Sequence, residues 1–144
     1  MSLPTREDII VHGNLDELTA CQNFLGKSVA EAEELFRENS LYYQEGLMWM
    51  GPKAFCYYVE SAIQYVKSPD ADGDSDIINC MNGNINFRLE YDKSESIVRV
   101  ADRLVEFCNY VLENWDWFQV DRGIYGDLQS EYRLLLEKIS AVEN

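Results

Sequence analysis

The chain has 144 residues, with 26 acidic side chains against 12 basic ones, one histidine, four cysteines and a formal charge of −14. Hydrophobic content of 47% with 12% aromatics argues against disorder, and no apolar run approaches the roughly 20 residues of a membrane-spanning helix. Residues 1–72 hold twelve acids and five bases and residues 73–144 hold fourteen and seven, so the charge is spread along the chain: it repels nucleic acid and anionic lipid and favours a basic protein as partner.

Residues 1–22 are polar and poorly patterned, with one short helix predicted around 15–23. They hold no signal-peptide apolar core, which sets the expectation of a cytoplasmic protein. The first clear helix starts at Ser28, where Ser28-Val29-Ala30-Glu31 is a capping box. Val29, Ala32, Leu35 and Phe36 share one face, Glu33 and Arg37 form an i,i+4 pair, and Asn39-Ser40 is read as the stop. Residues 41–51 are then unusually apolar for a connection. Gly51-Pro52 resets the chain, and Phe55, Tyr58, Val59, Ala62, Ile63 and Val66 give a strong amphipathic helix that ends before Pro69.

Residues 70–76 read as a polar loop, with Ser75 or Asp76 capping the next element. Residues 77–91 carry two signals. Asn82-Gly83 suggests a hairpin turn, with Ile85, Phe87, Leu89 and Tyr91 alternating as in a strand; Ile77, Ile78, Met81 and Ile85 suit a helix face. A lone hairpin in a helical chain needs cover, so the helix is preferred. The longest predicted helix begins near Asp92-Lys93-Ser94-Glu95, a second capping box, and runs along Ile97, Val100, Ala101, Leu104, Val105, Cys108, Val111, Leu112 and Trp115. An aromatic turn segment at 114–126 precedes a last helix from Asp127, with Leu128, Tyr132, Leu135, Leu136, Ile139 and Val142 facing inward. The expected fold is all-α, a single domain over 1–144 built as a compact bundle of about five helices.

Chemistry-bearing patterns are sparse. Cys21, Cys56, Cys80 and Cys108 have no metal-binding spacing and read as buried thiols acting as small hydrophobes. Asp70, Asp72, Asp74 and Asp76 match the opening of an EF-hand loop, but Ser75 stands where that loop needs Gly and Met81 where it needs Glu. His12, with Cys21 as its nearest thiol in sequence, has nothing to orient it as a catalytic base. No catalytic residue, cofactor or metal is expected.

Residues 47–62, Leu-Met-Trp-Met-Gly-Pro-Lys-Ala-Phe-Cys-Tyr-Tyr-Val-Glu-Ser-Ala, resemble a family of small uncharacterised bacterial proteins with an apolar pair, a Pro-x-x-Phe-x-x-Tyr core and an Ala-containing helix continuation. The resemblance implies a helical fold and brings no catalytic residues. Among the aromatics, Trp49, Tyr57, Trp115, Trp117 and Phe118 are candidates for a partner-binding patch, with core packing the stronger reading for Trp115, which continues the long stripe. Tyr57 and Tyr110 lie on otherwise polar faces and are expected to be exposed, so the partner-binding residues singled out are Trp49, Tyr57, Tyr110 and Trp117. The functional expectation is an acidic protein–protein interaction module, immunity- or regulator-like, binding a basic partner. The alternative is a small enzyme or ligand-binding protein with an inter-helix pocket near Trp49, Tyr57 and Trp117.

Overall fold

Capping decides where the helices of this chain begin. Thr5 and Asp8, Asn14 and Glu17, and Ser28 and Glu31 form three reciprocal capping boxes, each satisfying backbone donors that a helix start leaves over. They open α1 (Arg6–Ile9), α2 (Leu15–Phe24) and α3 (Val29–Trp49). The computed structural model describes residues 1–92 and 95–143, and every regular element among them is helical. The chain divides into two compact units, Met1–Tyr65 and Val66–Asn144.

In the first unit α2 packs on α3, and α1 on α2. The stop read at Asn39-Ser40 is a kink at Asn39, where two helical halves of α3 meet. Asn39 leaves helical geometry (φ −160°, ψ 86°), but its side chain accepts the Tyr42 N–H at 3.1 Å and restarts the helix at once. The apolar stretch read as a connection is therefore the second half of α3, which buries Gly46 and Leu47. Gly46 makes room there for the Phe24 ring, which a Cβ would meet at 2.6 Å and have to displace. α4 (Pro52–Val66) starts with Pro52 at its first position, as the sequence predicts. Gly51 ahead of it donates to the Ile9 carbonyl at 3.1 Å, seating α1 against the start of α4. The Phe24 ring lies 6.0 Å from that of Phe36 and 5.1 Å from that of Tyr58. The Tyr58 hydroxyl lies 2.7 Å from the Phe24 carbonyl and 2.9 Å from that of Lys27, which fastens α4 to the end of α2.

The second unit holds α5 (Ser75–Tyr91), α6 (Glu95–Val98), α7 (Ala101–Glu113), α8 (Arg122–Tyr125) and α9 (Leu128–Val142). Single 3₁₀ turns lie at Pro69–Ala71 and Trp115–Phe118. Helix wins over hairpin at 77–91, with Ile77, Ile78, Met81 and Ile85 buried along α5. Its cap is Asp74, whose carboxylate accepts the Ile77 N–H at 3.2 Å, rather than Ser75 or Asp76. The long helix expected to Trp115 is instead two helices. α6 closes with a tight bond from the Val100 N–H to the Ile97 carbonyl, and α7 starts afresh from Val100 (φ −117°, ψ 7°) and ends at Glu113. Three β-branched residues, Ile97, Val98 and Val100, crowd this junction and favour the break. The capping box expected at Asp92-Lys93-Ser94-Glu95 includes residues outside those described.

α9 packs on both α7 and α5. Leu128, Tyr132, Leu135 and Ile139 are buried as expected, whereas Leu136 and Val142 are half-buried. Tyr132 is fully buried; its hydroxyl donates to the Ile78 carbonyl at 2.5 Å, and its ring lies 6.2 Å from Phe107 and 6.0 Å from Trp115. About five helices was too low a count. Among the described residues there are six helices of ten residues or more, and α1, α6 and α8 are single turns that periodicity cannot reveal. No helix among them is long and apolar enough to cross a membrane.

Candidate partner-binding site

The aromatic turn after α7 and the acidic loop before α5 form one surface of the second unit. Asn114 ends α7, and the Trp117 N–H bonds back to its carbonyl at 2.9 Å, winding Trp115–Phe118 into a 3₁₀ turn. Gln119 then takes a left-handed conformation (φ 53°) that turns the chain away. Phe118 goes into the core and is fully buried; Trp117 goes outward and is 45% exposed. The Gly73 N–H donates to the Trp117 carbonyl at 2.9 Å, and Gly73 sits against the Gln119 side chain. Farther along, the Tyr125 hydroxyl donates to Asp76 and lies 3.5 Å from the Ser75 hydroxyl. The Asp76 hydrogen bond holds the Tyr125 phenol above its usual range, because the carboxylate favours the protonated hydroxyl.

These tethers concentrate charge. Residues 70–76 and 113–127 contribute eight carboxylates against one cation, Arg122, and so carry half of the chain's charge of −14. Arg122 stands 3.6 Å from Asp127, the cap of α9. Of the loop aspartates, Asp74 caps α5 and Asp76 accepts from Tyr125. Among the described residues no three His, Cys, Asp or Glu side chains are grouped so as to hold a metal ion.

Beside the turn lies an open pocket of about 350 Å³ lined by Leu112, Glu113, Asn114, Trp115, Asp116, Trp117 and Gln129. Trp115 is half-buried and propped edge-on against Tyr132. Asn114 donates its amide N–H to the Tyr110 carbonyl at 2.8 Å, which leaves its amide oxygen as an acceptor. Glu113 and Asp116 are exposed, and neither carboxylate makes a hydrogen bond or ion pair among the described residues.

The four aromatics singled out from sequence have different surroundings. Trp117 belongs to this pocket. Tyr110, expected to be exposed, is half-buried, with Phe118 at 6.4 Å and the Lys67 ammonium 5.6 Å from its ring centre. Tyr57, also expected to be exposed, is half-buried in the first unit, edge-on to Tyr58 at 4.8 Å. Trp49 ends α3 in the first unit and is 38% exposed. Sequence reading missed Glu113, Asp116 and Gln129. The two acids stand beside the tryptophans in the sequence, but only the fold brings Gln129 from α9 to the same pocket.

His12 is not drawn into a catalytic pair with Cys21. Its Nδ1 lies 3.0 Å from the Glu17 carboxylate, which also accepts the backbone N–H groups of His12, Gly13 and Asn14 at 2.8, 2.7 and 3.3 Å. All four cysteines are thiols; Cys21, Cys56 and Cys108 are buried and Cys80 is half-buried.

Compared with family models, curated proteins and solved structures, the chain matches none.

Proposed function

We propose that this chain is an acidic protein–protein interaction module, immunity- or regulator-like, whose second unit binds a basic partner. The observation that carries this reading is the Gly73–Trp117 tether, which sets an exposed tryptophan within a field of eight carboxylates. A large aromatic anchor supplies contact energy at an interface, and clustered like charge speeds and selects the encounter with an oppositely charged partner. Four reduced thiols suit the cytoplasm, where such a module would act.

The test is capture from a host lysate on the immobilised chain, at low and at high salt, beside Trp117→Ala and Asp116→Asn. The expected result is one basic protein held at low salt, lost at high salt and lost or weakened with both variants, since exposed charges are screened beyond about 8 Å at 0.15 M salt. Retention that is indifferent to both variants and to salt overturns the reading.

A second reading, a small ligand-binding protein, is supported by a groove of about 650 Å³ between α5 and α9 where Leu89, Ala141 and Val142 meet Asn86, Glu90, Glu131 and Lys138. That volume lies in the range of small-molecule sites. Thermal stabilisation by a metabolite, abolished by Lys138→Ala but not by Trp117→Ala, would favour it over the interaction module.

A further inference from the structure

We infer that the pocket beside the Trp115–Phe118 turn receives one guanidinium group, the side chain of an arginine presented by the partner. This rests on, and sharpens, the interaction reading above. The lining is selective by composition: two indole rings, two exposed carboxylates and the amides of Asn114 and Gln129, with no cation among its residues. Indole faces attract cations through their quadrupole, and most strongly when the cation is flat and weakly hydrated. Guanidinium meets both conditions, and its fork of N–H donors suits several acceptors at once. Glu113 and Asp116 supply carboxylate acceptors, and the amide oxygen of Asn114 adds another because its N–H is committed to Tyr110. An ammonium would gain the charge attraction but lose the stacking.

The pocket is also built before any ligand arrives. Trp115 is propped on Tyr132, and the Trp117 backbone is bonded at both its N–H and its carbonyl, to Asn114 and to Gly73. The Trp115 ring and the backbone of the turn therefore need little ordering on binding, which lowers that part of the cost of association. The acidic loop behind Gly73 adds long-range attraction of the same sign.

The experiment is fluorine NMR of the whole chain carrying 5-fluorotryptophan, with the resonances of Trp49, Trp115 and Trp117 assigned by single Trp→Phe variants. Ethylguanidinium is titrated in, beside ethylammonium and the neutral, similarly shaped ethylurea. The Trp115 and Trp117 signals should move saturably with ethylguanidinium, less with ethylammonium and not with ethylurea, while Trp49 stays still. Asp116→Asn and Glu113→Gln should each weaken the ethylguanidinium response by about threefold, as the loss of one exposed charge does. Equal movement with ethylurea, equal movement of Trp49, or no saturable movement overturns the assignment. Capture of a basic protein that fails in Trp117→Ala, with no guanidinium response, would sink this pocket and leave the interaction module standing. A guanidinium response with no captured partner would do the reverse.

Discussion

Gly73 donates its N–H to the carbonyl of Trp117, 44 positions further along the chain, in a 2.9 Å bond. Gly73 can do so because it sits at φ +72°, where an L side chain is strained. Gly73→Ala should cost about 1–2 kcal/mol in urea unfolding. The Cβ itself finds ordinary room at 3.4 Å from the Gln119 amide, so the loss is conformational rather than a clash. Basic-partner capture should fall with it. An alanine variant as stable as the parent would mean that the tether is not held in this geometry.

Gly83 makes the opposite case. It lies exposed within α5, with nothing within 4 Å of a built Cβ and no positive φ. Gly83→Ala should therefore stabilise the chain, by up to about 1 kcal/mol, as glycine-to-alanine changes do in helix interiors. The same substitution would be destabilising in an Asn-Gly hairpin turn, which needs positive φ at both residues. Denaturant midpoints of the two proteins decide between those outcomes.

The fold class was legible because the apolar stripes of α4, α7 and α9 repeat at helical spacing over three turns or more. What escaped was short or depended on distant partners. The Thr5–Asp8 box carries too little apolar pattern beside it to stand out, and α1 exists because Ile9 and Asp8 dock at Gly51. The break between α6 and α7 hides inside an unbroken apolar stripe, since a skipped turn can leave both halves facing the core. At the candidate site, Trp117 and the acidic loop were each visible in sequence. That they form one surface was not, because a single backbone bond between residues far apart in the chain joins them.

Glu17 should make the first unit sensitive to acid. It is buried, 1% exposed, and burial alone would raise its pKa. The hydrogen bonds from His12, Asn14 and Gly13 outweigh that and hold the carboxyl below its ordinary 4.5. A depressed pKa adds stability above the unfolded value, and that stability is lost as pH falls through the folded one. Glu17→Gln should cost about 2 kcal/mol near pH 7, since charged hydrogen bonds are lost at a buried site. Stability curves of parent and variant should converge in acid, below pH 4.5. Parallel curves down to strong acid would contradict the depressed pKa.

Tyr132 sets the corresponding limit in alkali. Complete burial holds its phenol well above the ordinary 10.0, so the folded chain keeps the proton that binds the Ile78 carbonyl. A raised pKa contributes stability that is complete below the unfolded value and lost as pH rises beyond it, from about pH 10 upward. Tyr132→Phe should cost about 1–2 kcal/mol at neutral pH and blunt the alkaline decline. An unchanged midpoint at pH 7 would mean that the hydroxyl bond contributes nothing to packing between α5 and α9.

Cys108 gives a probe of how firmly α7 is held. It is fully buried, and burial pushes its thiol up to about 12. At pH 8 only about one molecule in ten thousand would then carry the reactive thiolate, even before access is considered. Iodoacetamide under native conditions should label the half-buried Cys80 first. Cys108 should be modified only through unfolding, at a rate that rises with urea in step with the unfolded population. Peptide mapping over a time course measures both rates. If Cys108 were labelled as fast as Cys80 without denaturant, α7 could not be packed on α9 as a stable part of the second unit.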